Sequence, residues 1–238
     1  MAAARRPRLR AGPRGRLLAA VLRGAGCLGY APSVPDHAVS PTRGLGEEIE
    51  DRRTGILLAV VRVIVRDGVD GLRMAAVARE ADVSSALLHY HFATREEMIR
   101  QAFDLHDRIA AAASTERVAR IADPVERIRD KLISQLADDP DVRDGWVMWA
   151  EMQHLALFHD DLRASVVERS LRWVGSIAEL IGAAQSAGRV PSELDAAESA
   201  LRLTALVDSL GEHVLIGSVP PAEARRLVDR VLVEVLGA

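Results

Sequence analysis

Apolar residues recur at the spacing of an α-helix along most of the chain. From about residue 52 they follow one another at intervals of three and four, as Ile56, Val60 and Ile64 do, which is the period of one helix face. No segment alternates apolar and polar residues over enough positions to predict a strand. The pattern predicts an all-α fold, with helices near residues 52–66, 73–80, 84–91, 95–113, 124–138, 140–157, 160–187, 195–216 and 221–236.

Several of these helices are bounded by residues suited to helix ends. Thr94 and Glu97 have the spacing of a capping box, in which the Thr hydroxyl accepts from a free backbone N–H and the Glu side chain reaches back to the cap. Asp123 precedes a proline in a second box of this kind. Gly68 is expected to end the first helix, because glycine tolerates the left-handed conformation found there.

The short helices at 73–80 and 84–91 are joined by a tight turn at Ala81-Asp82-Val83. Ser84 is a favourable N-cap for the second of them. Five apolar side chains can share one small core, namely Val77, Ala81, Val83, Leu88 and Phe92. The pattern predicts two helices that pack closely across the turn.

The other face of the second helix presents Ser85, Leu87, His89 and Tyr90 to the outside. Exposed Leu and Tyr side chains beside hydroxyls and imidazoles suit the DNA major groove, where polar groups reach phosphates or base edges and apolar groups meet thymine methyls. We therefore predict a helix-turn-helix whose recognition helix is 84–91. A helical hairpin inside a bundle fits the same pattern equally well.

The segment Val83-Ser84 to Leu88-His89-Tyr90-His91-Phe92, followed by Ala93-Thr94-Arg95-Glu96-Glu97-Met98, resembles the signature of TetR-family transcriptional regulators. The resemblance runs from about Arg52 to Phe103. The remainder is similar, more weakly, to the BetI-type ligand domain of that family. The residues that carry this second resemblance are Gly188-Arg189-Val190 and Ala205-Leu206-Val207-Asp208-Ser209-Leu210.

The resemblance implies a homodimeric repressor that binds a palindromic operator and is released by a small-molecule effector. It implies a helix-turn-helix domain over 47–94 and a ligand-binding and dimerisation domain over 95–238, with dimer contacts from the last two helices. Residues 1–46, which we expect to form a disordered basic extension rich in Pro and Gly, match nothing in the family. Such a regulator needs no cofactor and no membrane, and we expect it in the cytoplasm, associated with the nucleoid.

The resemblance also assigns DNA contacts by position. Leu87 and Tyr90 fall where base contacts are usual, whereas Ser85, His89, His91 and Arg95 fall where phosphate contacts are usual. Three residues depart from the family pattern: Arg73 replaces a Thr, His89 replaces a Tyr, and Asp82 replaces the turn glycine, which Asp can do because it visits the left-handed region. The expected DNA-binding residues are Arg73, Ser84, Ser85, Leu87, His89, Tyr90, His91 and Arg95.

Charge is distributed unevenly along the 238 residues, a length that suits one large domain or two modest ones. Residues 1–46 carry a net charge of +7, and residues 93–238 carry −8. The positive N-terminal end suits an anionic partner, whereas the acidic remainder could not lie on a phosphate backbone. We expect residues 1–46 to be dispensable for folding and to add nonspecific DNA affinity.

Three sharper interpretations of residues 1–46 are weak. Gly24-Ala25-Gly26-Cys27-Leu28-Gly29 fits a dinucleotide-binding motif, but two prolines directly after it forbid the helix that such a site needs. The apolar run at 17–22 is too short for a secretory signal. A later translation start remains open.

With one cysteine and no apolar run of 18 residues, the chain offers no internal disulfide and no predicted membrane span.

Enzymatic and scaffolding functions are the alternatives. Glu151 and His154 have the spacing of half a di-iron motif, but the second copy that such a site requires does not occur, so an exposed helix edge is favoured. A helical adaptor would use 72–92 as a plain helix pair. Only a regulator should show sequence-specific, salt-sensitive DNA binding.

The ligand domain offers the least specific signal. Aromatic and polar side chains on three predicted helices suggest an apolar pocket with a few polar anchors, although core packing explains any single one of them. The candidate ligand-binding residues are Trp146, Trp149, Met152, Gln153, His154, Trp173 and Asp208. For the dimer, apolar stripes on the last two helices include Leu201, Ala205, Val207, Leu227, Val228 and Val231.

Overall fold

A computed structural model describes residues 45–237, with side chains from residue 50 onward. The interpretations of the sequence before residue 45 lie outside this range. The described residues contain no strand, so the expected all-α fold is confirmed. They form a 3-10 turn at Ser134–Leu136 and the helices α1 (Leu45–Gly71), α2 (Met74–Glu80), α3 (Ser85–His91), α4 (Arg95–Ala119), α5 (Pro124–Ile133), α6 (Pro140–Ala156), α7 (Asp160–Ser186), α8 (Ala196–Leu215) and α9 (Pro221–Leu236).

Two helices are longer than the sequence predicts. Gly68 has the expected left-handed backbone, at φ 70° and ψ 170°, but it kinks α1 instead of ending it, and the helix resumes to Gly71. Helix α4 continues to Ala119 rather than stopping at 113. Its run of alanines followed by Glu116 and Arg117 favours helix throughout. In contrast, α5 ends at Ile133 and tightens into the 3-10 turn.

The N-caps predicted at Thr94 and Asp123 are confirmed. The Thr94 hydroxyl accepts from the Glu97 N–H at 3.0 Å, whereas the Glu97 side chain reaches back to the Ala93 N–H and not to Thr94 itself. The Asp123 carboxylate accepts from the backbone N–H groups of Val125 and Glu126, at 2.8 and 3.1 Å. Asp139 and Asp195 cap α6 and α8 in the same way. Each cap satisfies N–H groups that have no partner within the helix, which fixes where these helices begin.

Two hydrophobic clusters organise the molecule. The first joins α1, α2, α3 and the first part of α4 to three buried residues of α6, which are Met148, Trp149 and Met152. The second joins α5 through α9. Buried Leu162 of α7 also belongs to the first cluster, so α4, α6 and the start of α7 are the elements through which the two parts contact each other. The division at 94/95 stays a prediction.

Helices α8 and α9 have both a buried and an exposed apolar face. Val207 and Val228 are fully buried in the second cluster, so the expectation that they face a partner subunit is wrong. The reason is that both helices have wide apolar surfaces, and helical spacing alone does not separate core from interface. The side chains left exposed are Leu201, Ala205, Ile216 and Val233.

No helix within residues 45–237 has both the length and the apolar character needed to cross a bilayer.

Candidate nucleic-acid interface

Helices α2 and α3 form a compact helix-turn-helix. At the turn between them Asp82 adopts φ 52°, the left-handed conformation predicted for it. The Val83 N–H donates to the Ala78 carbonyl at 2.9 Å, which closes the turn. Inside the motif Leu88 is fully buried and Phe92 is 2% exposed. The predicted core of the motif is confirmed.

The outward face of α3 is not covered by any residue in the described range 45–237. The Ser84 hydroxyl accepts from the Leu87 N–H at 3.2 Å, and so it caps the helix as expected. Tyr90 leaves 76% of its surface exposed, and one edge of its ring meets His91. The predicted DNA-binding residues of this helix lie together here; Ser84, Ser85, His89 and Tyr90 are exposed, and Leu87 and His91 are half-buried.

Two exposed arginines lie near the two ends of α2. Arg73 is exposed directly before α2, where its carbonyl accepts from the Ala76 N–H at 2.9 Å. Arg79, which the sequence interpretation missed, is exposed beside a shallow depression that Ser84 and Ser85 also line. Neither guanidinium forms an ion pair with any residue that the structure describes, so both are free to meet an anion. The one sequence signal that could have identified Arg79 as a candidate DNA contact is its position just before the turn.

Arg95 is held differently from the other predicted contacts. It is half-buried at the start of α4. Its Nη2 donates to the Val69 carbonyl, and its Nε to the Leu72 carbonyl at 3.4 Å. Two donors are therefore used to join α4 to the end of α1 and to the link that follows it, and Nη1 is the guanidinium nitrogen left for a phosphate.

Ion pairs attach the helix-turn-helix to α1. Glu80, the last residue of α2, accepts from Arg62 Nε at 2.7 Å and from Arg66 Nη1 at 2.9 Å. These hydrogen bonds, first from Arg62 and then from Arg66, lower the pKa of the Glu80 carboxyl. Because the groups are partly exposed, their main effect is on the orientation of α2 and less on stability.

The predicted ligand-binding residues do not form one group. Met152 is buried in the first cluster. Gln153 is half-buried beside it, whereas His154 is exposed with its ring against Phe158, at 5.6 Å between centroids. Within one helix turn these side chains point in different directions, which explains why sequence proximity was misleading.

Trp146 and Trp149 are both tightly held. Trp146 Nε1 donates to the Gln135 carbonyl at 2.7 Å. The Trp149 ring stacks on Phe103, with centroids 6.2 Å apart, and the Arg169 guanidinium carbon lies 4.1 Å from the Trp149 ring centroid. The Trp149 Nε1 atom is buried without a hydrogen-bond partner among the described residues.

Asp208 and Trp173 lie together near Arg169. Burial raises the pKa of Asp208 to about 6, against the opposing effects of the Arg169 charge and a hydrogen bond from Trp173. Arg169 Nε in turn donates to Asp107 at 2.8 Å. Sequence reasoning found Asp208 and Trp173 but missed Asp107 and Arg169, because nothing in the local pattern distinguishes them from solvated charges on α4 and α7.

Glu151 and His154 do not belong to a metal cluster. Glu151 is half-buried with its carboxylate towards Gly68, and His154 is exposed. In the described part of the chain, no group of three or more His, Cys, Asp or Glu residues is arranged to hold a metal ion.

Two family models match the chain. The model of bacterial regulatory proteins of the TetR family matches residues 56–102, and the model of the C-terminal domain of BetI-type transcriptional repressors matches residues 124–237. Together they cover well over half of the chain, and they correspond to the helix-turn-helix region and the larger helical region.

Individual proteins agree with these models. The HTH-type transcriptional regulator TtgR of Pseudomonas putida is 28% identical over 69% of this chain and 80% of its own. A TetR-family regulator from a Rhodococcus species is 29% identical, with a TM-score of 0.71 over 79% of this chain and 99% of its own. A regulator from Saccharomonospora viridis, solved with choline, is 28% identical, with a TM-score of 0.70 over 78% of this chain and 96% of its own. With the same helix-turn-helix, helical body and sequence signature, the chain belongs to the TetR family of DNA-binding transcriptional regulators.

Proposed function

We propose that this protein is a homodimeric repressor whose helix α3 enters the major groove of a palindromic operator. The observation that carries the proposal is the free face of α3, where Tyr90 is 76% exposed. A large aromatic ring left in water on a short helix gains a binding surface when it meets base edges and thymine methyls. The DNA-binding part would span 47–94 and the ligand-binding and dimerisation part 95–238, in the cytoplasm.

The residues around α3 would make different kinds of contact with the DNA. Leu87 and Tyr90 would contact bases. Arg73 and Arg79 would neutralise phosphates on either flank, since both are exposed and arginine binds phosphate through paired donors. The remaining polar groups, Ser85, His89 and His91, would contact the backbone. Ser84 would act by capping α3.

A dimer would supply the contacts that one short recognition helix lacks. Two copies of α3 related by a two-fold axis would read two half-sites roughly 34 Å apart. The exposed apolar residues of α8 and α9, Leu201 at 41% and Val233 at 44% among them, together with Ile216 directly after α8, are the surface that we assign to the partner subunit. Such a pairing would form a four-helix bundle.

The effector in this proposal is a small organic cation with apolar groups. Trp173 supplies an aromatic face and Asp208 a carboxyl group that is mostly buried, which are the two features that attract an ammonium group. The guanidinium of Arg169, which also lies near Asp208, already stacks on the ring of Trp149 and is an internal example of a cation on an aromatic face. The structural relative from Saccharomonospora viridis that binds choline supports the same class of ligand.

Helix α4 offers an entrance to this region. A packed α-helix has 3.6 residues per turn and directs about one side chain of each turn towards its neighbours. In contrast, residues 108–113 of α4 are all exposed. At this level α4 therefore has no side packed closely against a neighbouring helix, and we assign the entrance to this gap. Asp107, which pairs with Arg169, lies directly before the opening.

DNA selection tests the core of the proposal. The wild-type protein should select a palindromic sequence from a random duplex pool and bind it with a strong salt dependence. Tyr90→Ala should weaken that binding by about 10- to 100-fold. Phe158→Ala is the matched control, since this aromatic is 71% exposed on the link between α6 and α7. Failure to select any sequence would favour a helical adaptor.

Tryptophan fluorescence tests the effector class. Choline should perturb the emission and weaken operator binding, and operator DNA should weaken choline binding by the same factor. The uncharged analogue 3,3-dimethylbutan-1-ol, of nearly the same shape, should bind much more weakly, and Asp208→Asn should remove the difference. Equal binding of the two compounds would contradict a cationic effector.

A further inference from the structure

A chain of side-chain hydrogen bonds connects α1 to the end of the recognition helix. Arg53 Nη2 donates to Gln101 Oε1 at 2.6 Å. Gln101 Nε2 donates to Glu97 Oε1 at 2.8 Å, and the other Glu97 oxygen accepts from the backbone N–H of Ala93 at 3.1 Å. Neither Arg53 nor Gln101 was among the residues predicted to serve DNA binding.

The chain ends at the short link between α3 and α4. Ala93 is two residues beyond His91, where α3 ends, and it directly precedes Thr94, which caps α4. Arg53 also covers the preceding residue, with its guanidinium carbon 5.6 Å from the centroid of the Phe92 ring. Arg53 therefore reaches this link directly at Phe92 and indirectly, through Gln101 and Glu97, at Ala93.

The orientation of the Gln101 amide is determined by its neighbours. Its oxygen must accept from the Arg53 guanidinium, which has donors only, and its nitrogen must donate to the Glu97 carboxylate, which accepts only. The reverse orientation would place like groups against each other at both ends. Removing Arg53 leaves the amide held by Glu97 alone, so the amide gains freedom to rotate and its contact with Glu97 is less firmly oriented.

We propose that Arg53 is a positioning residue for DNA recognition, which holds the C-terminal half of α3 through Gln101, Glu97 and Ala93. The residues that depend on it are His89 and Tyr90, on the last turn of α3. An arginine near a DNA-binding helix could instead contact phosphate directly. Because both guanidinium contacts are internal, the positioning role is favoured. The proposal rests on the proposed operator binding.

The test uses the full-length protein and the duplex that the wild type selects from a random pool. Arg53→Ala should lower affinity for that duplex by about tenfold, the value of one charge-assisted hydrogen bond, and leave the slope of affinity against salt unchanged. Gln101→Ala, which alters no charge, should give the same loss. The double variant should lose no more than either single one, because one chain of contacts is broken in each case.

Arg52→Ala is the matched control, since Arg52 is the adjacent exposed arginine of α1. It should affect selected and random DNA alike. If Arg53→Ala instead reduces the salt slope by about one, Arg53 contacts phosphate and the proposal is wrong. Additive losses in the double variant would also overturn it. If Arg53→Ala lowers the melting temperature enough to unfold the motif, the test rests on Gln101→Ala. If that variant prefers the selected duplex over random DNA as strongly as the wild type does, the proposal is rejected.

Operator binding and the positioning role of Arg53 can be rejected separately. If the wild type selects no sequence, operator binding itself is rejected. If the wild type does select a sequence, and Gln101→Ala and Arg53→Ala prefer it over random DNA as strongly as the wild type does, only the positioning role is rejected. Arg53→Lys adds a further readout, because a retained donor to Gln101 should restore part of the lost discrimination.

Discussion

The indole ring of Trp146 lies directly against the backbone of Gly211. A Cβ atom at position 211 would come within 2.0 Å of Trp146 Cζ2. The ring has little freedom to move away, because its Nε1 donates to the Gln135 carbonyl. One contact therefore holds α6, the 3-10 turn and α8 together, and it requires glycine in the middle of α8.

Gly211→Ala should therefore destabilise the protein by about 1–3 kcal/mol, the usual cost of overpacking. Gly182→Ala is the control, because Gly182 lies inside α7 with no neighbour within 4 Å of an added Cβ. It should stabilise the protein by up to about 1 kcal/mol through helix propensity. Urea unfolding measures both, and equal effects would contradict the role assigned to Trp146.

The region around Asp208 should make stability depend on pH. Its pKa is about 6 in the folded protein, chiefly because of burial, whereas an unfolded Asp ionises near 3.9. The folded state binds this proton more tightly than the unfolded state does. Ionisation of Asp208 therefore does not reduce the free energy of unfolding below about pH 4. It reduces that free energy progressively between pH 4 and 6, and by its full amount above pH 6.

Asp208→Asn removes that cost. The variant should be more stable than the wild type at pH 7.5, by on the order of 1–3 kcal/mol, and the difference should shrink towards zero at pH 4. Asp70→Asn, at an exposed aspartate in the last turn of α1, controls for the loss of a charge. A constant difference across this range would show that burial of the carboxyl is not the cause.

Local signals in the sequence were sufficient for the helix-turn-helix. Ser84 caps α3 and Asp82 takes the left-handed turn position, since both depend on residues only a few positions away. The contacts of Arg53 and Arg95 could not be predicted in this way, because their partners lie 23 to 48 positions along the chain. Val207 and Val228 were misassigned because burial and dimer contact require the same apolar residues.

Arg73 and Arg95 should respond oppositely to truncation. Arg73 is exposed and forms no ion pair with the described residues, so Arg73→Ala should leave the melting temperature unchanged and reduce the salt slope of operator binding by about one. Arg95→Ala should leave the slope nearly unchanged. It should lower stability by about 1–3 kcal/mol, because the carbonyls of Val69 and Leu72 lose a charged donor.

Thermal denaturation and binding at several salt concentrations separate these outcomes. Arg95→Lys provides a further check, because an ammonium cannot reproduce the two-directional contact of the guanidinium. If Arg95→Ala reduces the salt slope and leaves stability unchanged, the phosphate contact expected from the family resemblance is correct and its internal contacts are secondary.

The assignment of the dimer surface to α8 and α9 can be tested with two valines of similar exposure. Val233 on α9 is 44% exposed and Val167 on α7 is 50% exposed. Val233→Glu should convert the protein to monomers at micromolar concentration, because an unpaired charge would be buried at the apolar interface. Val167→Glu should remain dimeric. Operator binding should fall steeply only for the first variant, since one recognition helix makes too few contacts. Light scattering gives the mass of each, and a dimeric Val233→Glu together with a monomeric Val167→Glu would move the interface to α7.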